Sequence, residues 1–174
     1  ADRTPDPLDD PRQETLAEYL RAHTTKSVGI VSDAEVVDAT PASVVAHTRR
    51  RDAKEYIATA LFDLKPEVLL GGGGAYFLPR ATPGYKRRDE RALVDEFQRA
   101  GYALAGSASE LSRAVAAGPS RLLGLFHLGN MDGSLDRLFL KKGTVAEYPD
   151  QPDLTEMFRA ALAVLAKNPA GFFL

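Results

Sequence analysis

Apolar positions along this chain follow two rhythms that alternate from one end to the other. Short, nearly unbroken apolar runs fall at residues 27–37 (SVGIVSDAEVV), 66–70 (PEVLL), 102–105, 121–126 (RLLGLF) and 171–174 (GFFL). Runs of that length and density are those of strands buried on both faces. Between them apolar residues recur at helical spacing. Leu16, Tyr19 and Leu20 mark a helix over 13–22, and Tyr56, Ile57, Ala60, Leu61 and Leu64 mark another. Leu93, Val94 and Phe97 mark a helix over 89–100, stopped by Gly101. A helix over 107–117 starts at a Ser107 or Ser109 cap and ends at Gly118-Pro119. Met157, Ala161, Leu162 and Leu165 define the last, 154–167, closed by Asn168-Pro169. Alternating strands and helices predict an α/β fold: a three-layer α/β/α sandwich around a mainly parallel sheet.

The first strand runs into Asp38-Ala-Thr40-Pro41, and Thr followed by Pro is a helix-start signal. The spacing predicts a helix from Thr40 to about Arg51. On such a helix Thr40 and Arg51 share nearly one azimuth, their Cα atoms roughly 16 Å apart, and the arginine side chain leans back toward the N-terminus. Asp38 and Thr40 carry the hard oxygen donors that magnesium takes. Arginine is the side chain suited to bidentate phosphate binding. Each residue also has a plainer reading. Thr40 caps a helix, Asp38 complements its dipole, and the arginines of 49–51 complement the other end. A hydroxyl can cap with one lone pair and ligate with another, so the two readings coexist. The carboxyl ends of strands are where open α/β sheets place their ligands, and Asp38 and Thr40 lie there.

The 174 residues suit one α/β domain. Residues 1–11, with Pro5, Pro7 and Pro11 among aspartates, form an extended polar lead-in, and residues 127–151 an irregular insertion. The chain opens without Met and closes inside the apolar run Gly171–Leu174, so both ends read as cuts in a longer catalytic domain. A net charge of −2 offers no field for nucleic acid or an anionic membrane, and no apolar run approaches a membrane span. Lys86-Arg87-Arg88, followed by Asp89-Glu90, reads as a solvated loop. The absence of cysteine excludes disulfides and thiolate metal sites.

Several further patterns carry no chemistry. Gly71–Gly74 lacks the Lys-Ser or Lys-Thr of a phosphate loop and reads as a tight turn after a strand. His23, His47 and His127 are too scattered for a zinc motif, and His47 reads as a polar helix position. Asn130, Asp132 and Asp136 miss calcium-loop spacing and read as a solvated loop. No nucleophile elbow occurs.

Taken together, the motifs resemble those of the bacterial alkaline phosphatases, and they come in family order. They are GIVSDAEVVDATPASVVAH followed by Arg51, then VLLGGG with Tyr76-Phe77, Arg99-Ala100-Gly101-Tyr102, LLGLF with Gly129-Asn130-Met131, and LTEM with VLAKNPAGFFL. The resemblance runs from about Glu14 to Leu174 and lapses over 132–150. It implies an α/β/α sandwich and hydrolysis of phosphate monoesters through a phosphoserine intermediate, with zinc and magnesium as cofactors. Arg51 would clamp the substrate phosphate, Thr40 would ligate Mg2+, and Asp38 would ligate it or hold one of its waters. Many relatives carry histidine in place of Asp38, so the aspartate implies the magnesium-preferring form of the site. The family's nucleophilic serine and bridging aspartate fall before this chain, and its third magnesium ligand and the zinc (Zn2+) ligands fall after Leu174. His127 stands where animal relatives place a calcium-binding glutamate, which argues against calcium.

The expected function is therefore a segment of an alkaline phosphatase that supplies the phosphate-binding Arg51 and part of the Mg2+ site and is inactive alone. Its expected partners are a phosphate monoester or inorganic phosphate, with neither nucleic acid nor membrane. The parent is expected to be a periplasmic or secreted homodimer. The alternative is a non-catalytic α/β module of the same ancestry that binds or self-associates through open strand edges. A third reading is another metal-dependent phosphate or sulfate ester hydrolase of the same broad fold.

Overall fold

The computed structural model describes residues 12–48 and 50–174, so the lead-in at 1–11 lies outside the described residues. Thirteen elements follow one another among them. Strands β1 (Ser27–Glu35), β2 (Val68–Gly72), β3 (Ala103–Ala105), β4 (Leu122–Leu125) and β5 (Phe172–Phe173) form one sheet in the order β3-β4-β2-β1-β5, every pair parallel. Helices α1 (Leu16–His23), α2 (Ala39–Ala42), α3 (Lys54–Leu64), α4 (Leu93–Arg99), α5 (Ala108–Ala116) and α6 (Leu154–Leu165) flank it. The α/β/α sandwich expected from the apolar pattern is present.

The pleat sorts the core into two clusters. Ile30, Leu69 and Leu123 point to one face, where Ile57, Ala58 and Leu61 of α3 and Leu93 and Phe97 of α4 cover them. Val68, Leu70 and Leu122 point to the other, under Leu111 of α5 and Met157, Ala161, Val164 and Leu165 of α6. Neighbouring strand residues thus serve opposite layers, which is why these strands read as continuous apolar runs.

Local chemistry sets most boundaries. Thr15 caps α1 and Asp153 caps α6 with reciprocal capping boxes through Glu18 and Glu156, and Ser107 caps α5. The helix expected at 89–100 begins only at Leu93. Upstream of it, Arg87 is buried rather than solvated. Its guanidinium binds the Asp89 carboxylate through both Nε and Nη2, and donates to the Tyr76 and Glu55 carbonyls and the Thr59 hydroxyl.

The larger departure concerns residues 40–51. α2 ends at Ala42, the chain turns through 43–45, and none of the described residues from 46 to 53 is helical. Ser43 Oγ donates to the Thr40 carbonyl at 2.7 Å, a side-chain bond that competes with helix continuation. Val44 and Val45 follow, β-branched residues that disfavour a helix, and Val45 is buried in the core. Thr40 and Arg51 therefore do not share a helix face, and the shared-azimuth geometry does not exist. Asp38, not Thr40, occupies the N-cap position of α2.

His47, expected on that helix, instead sits in the irregular segment with Nε2 at 2.8 Å from Glu18 Oε2. Burial pushes the Glu18 carboxyl up. The Thr15 N–H, His47 and Arg12 outweigh it and draw its pKa down to about 2. A carboxyl lowered on folding contributes stability above its unfolded pKa and loses it as pH falls through the folded value. Urea denaturation at stepped pH is therefore expected to show stability falling between about pH 4.5 and 2. The decline is expected to be shallower in Glu18→Gln.

Candidate functional site

Three loops meet at the carboxyl edge of the sheet, following β1, β2 and β4. Gly73 donates its N–H to the Gly129 carbonyl at 2.8 Å, Gly74 to His127 at 3.0 Å, and Val36 to Gly72 at 3.1 Å. These backbone contacts leave no room for side chains. A Cβ on Gly71 would meet the Ser32 carbonyl at 2.5 Å, and one on Gly72 would overlap the Gly129 carbonyl. Gly73 also turns the chain at φ +89°. The four-glycine run is thus a seam between loops more than a simple turn, since Gly71 and Gly72 still belong to β2.

Glu35 ends β1 at this seam and is buried. Its N–H donates to Asn130 Oδ1 at 2.9 Å, and its carbonyl accepts the Asp38 N–H at 2.9 Å. Its carboxylate pairs with Lys54 Nζ at the start of α3. Asn130 therefore holds a strand end instead of lying in a solvated loop. Asp132 is likewise engaged, accepting from Thr144 Oγ1 at 2.9 Å and Gln151 Nε2 at 2.7 Å. His127 Nε2 lies 2.8 Å from Thr144 Oγ1, and its Nδ1 accepts the Gly129 N–H at 2.8 Å. This network ties the stretch after β4 back to the seam, around a short π-helical turn at Asp136–Leu140.

Beyond Glu35 the structure brings two of the three sequence-derived site residues together. Arg51 Nη2 donates to Asp38 Oδ1 at 2.6 Å. The Ala39 N–H and then Arg51 hold the Asp38 carboxyl below its usual range against a smaller effect of burial. Thr40 is exposed and lines a different feature. That feature is a largely apolar cavity of about 550 Å³ among Ser32, Pro41, Val44, Leu154, Phe158 and Leu174, with neither Asp38 nor Arg51 in its wall. Among the described residues no group of three or more histidine, cysteine or acidic side chains is placed to hold a metal. Asp38 and Thr40 supply two hard donors, and the Asp38 carboxylate is already shared with Arg51. The residues present do not by themselves make a magnesium shell, which needs about six oxygens.

The sequence profile of alkaline phosphatase matches residues 11–174. The chain belongs to the alkaline phosphatase family. It is 32% identical over 155 residues to alkaline phosphatase 3 of Bacillus subtilis strain 168, a match covering 86% of this chain and 29% of that protein. It is 31% identical over 180 residues to the alkaline phosphatase of Escherichia coli K12, covering 85% and 38%. The crystal structure of the Thermus thermophilus alkaline phosphatase superposes with a TM-score of 0.73 at 36% identity, covering 86% of this chain and 28% of that one. The chain thus spans about a third of the length of these alkaline phosphatases.

Glu35 and Lys54 escaped the sequence reading, which placed Asn130 and Arg87 in solvated loops. A glutamate inside a strand-like run was the available signal for Glu35. Nothing local distinguishes Arg87 from its exposed neighbours. The seam is expected to tolerate no added atoms: Gly72→Ala should cost about 2 kcal/mol, read as a lower urea midpoint. Gly101→Ala gives the contrast, since a Cβ at Gly101 meets nothing within 4 Å and only the backbone at φ +87° is strained.

Proposed function

We propose that the chain supplies the phosphate-binding half of an alkaline phosphatase active site, with Arg51 as the group that binds the phosphate of a monoester. The observation that carries this is the Arg51–Asp38 pair at the carboxyl edge of a parallel sheet, the place where α/β folds receive ligands. Arg51 uses one nitrogen on Asp38 and is otherwise exposed, with a side chain 71% accessible. A guanidinium has five N–H donors, so a phosphate can be bound without displacing the carboxylate.

On this reading Asp38 holds Arg51 in place and offers an oxygen to a neighbouring cation, while Thr40, two residues on, offers a hydroxyl. Magnesium and zinc, where present, supply Lewis-acid stabilisation of phosphate oxygens and an activated nucleophile. The described residues fall short of a metal shell, so residues outside them must supply the remaining ligands. The chain is then one part of a larger catalytic domain, with 127–151 as an insertion beside the site. In the whole protein the expected setting is a periplasmic or secreted homodimer acting on phosphate monoesters. No described helix is long and apolar enough to cross a membrane.

Two measurements test this. Turnover of p-nitrophenyl phosphate with zinc and magnesium is expected to be absent from the 174-residue chain. Clear turnover would show that the chemistry needs nothing outside it. Titration with inorganic phosphate is expected to give weak binding that Arg51→Ala reduces about 10- to 100-fold, the loss that goes with charge-assisted hydrogen bonds. Equal affinity in Arg51→Ala would remove Arg51 from the site.

A further inference from the structure

Lys54 opens α3 with a positive charge where the helix dipole disfavours one, and Ala53 at the N-cap makes no side-chain bond. Local helix chemistry gives no reason for a lysine there. The reason lies across the sheet edge. Lys54 Nζ meets the Glu35 carboxylate, whose side chain is only 10% exposed, and lies 5.6 Å from the centre of the Tyr76 ring. Glu35 is fixed from two sides, by Asn130 at its N–H and Asp38 at its carbonyl. Lys54 is therefore tied to a point that cannot drift.

Arg51 stands three residues before Lys54, in a turn closed by Ala53 N–H to the Arg50 carbonyl at 3.0 Å and Lys54 N–H to Asp52 at 2.8 Å. The Arg51–Asp38 pair is too exposed to hold that turn, because such pairs contribute about 0–1 kcal/mol. The irregular segment is instead tethered at its two ends, by His47 to Glu18 and by Lys54 to Glu35. The second tether is the one beside Arg51.

We propose that Lys54, through its ion pair with Glu35, is the positioning residue that aims the Arg51 guanidinium at its anion site. The proposal rests on reading Arg51 as the phosphate-binding group. Burial opposes the Lys54 charge. Glu35 outweighs it, with Tyr76 and Asp38 behind, and raises the lysine above its ordinary pKa.

The test uses the 174-residue chain labelled with nitrogen-15 and titrated with inorganic phosphate. Glu35→Gln removes a negative charge near the anion, so electrostatics alone predicts tighter binding. Positioning predicts the reverse, a loss of about 5- to 10-fold, matched by Lys54→Met and restored to within about 2-fold by Lys54→Arg. Tighter binding in Glu35→Gln, or Lys54→Met binding as the parent chain does, overturns the proposal. The unliganded chain gives a readout that needs no phosphate: the Arg51 Nη2–H resonance of the bond to Asp38, assigned by its loss in Arg51→Ala. It should move to the position of a free arginine in both Glu35→Gln and Lys54→Met. Persistence in both overturns the positioning role. Should Lys54→Met fail to fold, Lys54→Gln keeps the helix and takes its place. Equal phosphate affinity in Arg51→Ala would instead sink the reading of Arg51, and the resonance would still judge the tether.

Discussion

The carboxyl edge of the sheet depends on one constraint: three loops must approach backbone to backbone, with no side chains between them. Gly71 and Gly72 meet the carbonyls of Ser32 and Gly129, and Gly73 and Gly74 donate into the loop after β4. Only glycine permits that approach, and only that approach brings Asn130 to the N–H of Glu35. Glu35 then fixes the backbone of Asp38 on one side and the ammonium of Lys54 on the other. A site made of exposed, flexible side chains thereby stands on a base of buried backbone bonds, each satisfied within the protein.

How much of this was legible in the sequence follows from which residues carry their own context. Val68, Leu69 and Leu70 are buried whichever layer they face, so an apolar run sufficed to place β2. Thr15, Ser107 and Asp153 announce helix starts with bonds that span only three residues. The resemblance to alkaline phosphatases rested on the motifs along these same elements and fixed the family. The helix expected from Thr40 to Arg51 ends at Ala42, where Ser43 bonds back to the Thr40 carbonyl and the β-branched Val44 and Val45 follow. Neither effect has a periodic signature.

Arg87 and Glu35 were illegible for a different reason. Each is a charged residue in a stretch whose composition says surface or strand, and each is buried because distant residues satisfy it. Thr59, Glu55 and Tyr76 supply the acceptors for Arg87, and Lys54 and Asn130 the partners for Glu35. Burying a charge is costly unless such partners exist; Asp89 is the one near partner of Arg87, and nothing near in sequence foretells the distant acceptors of Arg87 or the partners of Glu35. Lys54 is the one local clue, since a lysine at a helix N-terminus opposes the dipole and calls for compensation elsewhere.

That clue bears on how the site can work. An arginine that binds an anion with most of its donors exposed loses entropy when the anion arrives, unless its direction is already set. The Asp38 carboxylate sets it cheaply at the tip, taking one nitrogen and leaving the rest of the fork open. That pair is exposed and by itself contributes only a little. Fixing the backbone three residues away through a partly buried pair does more, since the turn from Arg50 to Lys54 leaves Arg51 few directions in which to project. On the proposed reading, preorganisation of the anion site therefore resides in Glu35 and Lys54, residues that need never touch the anion.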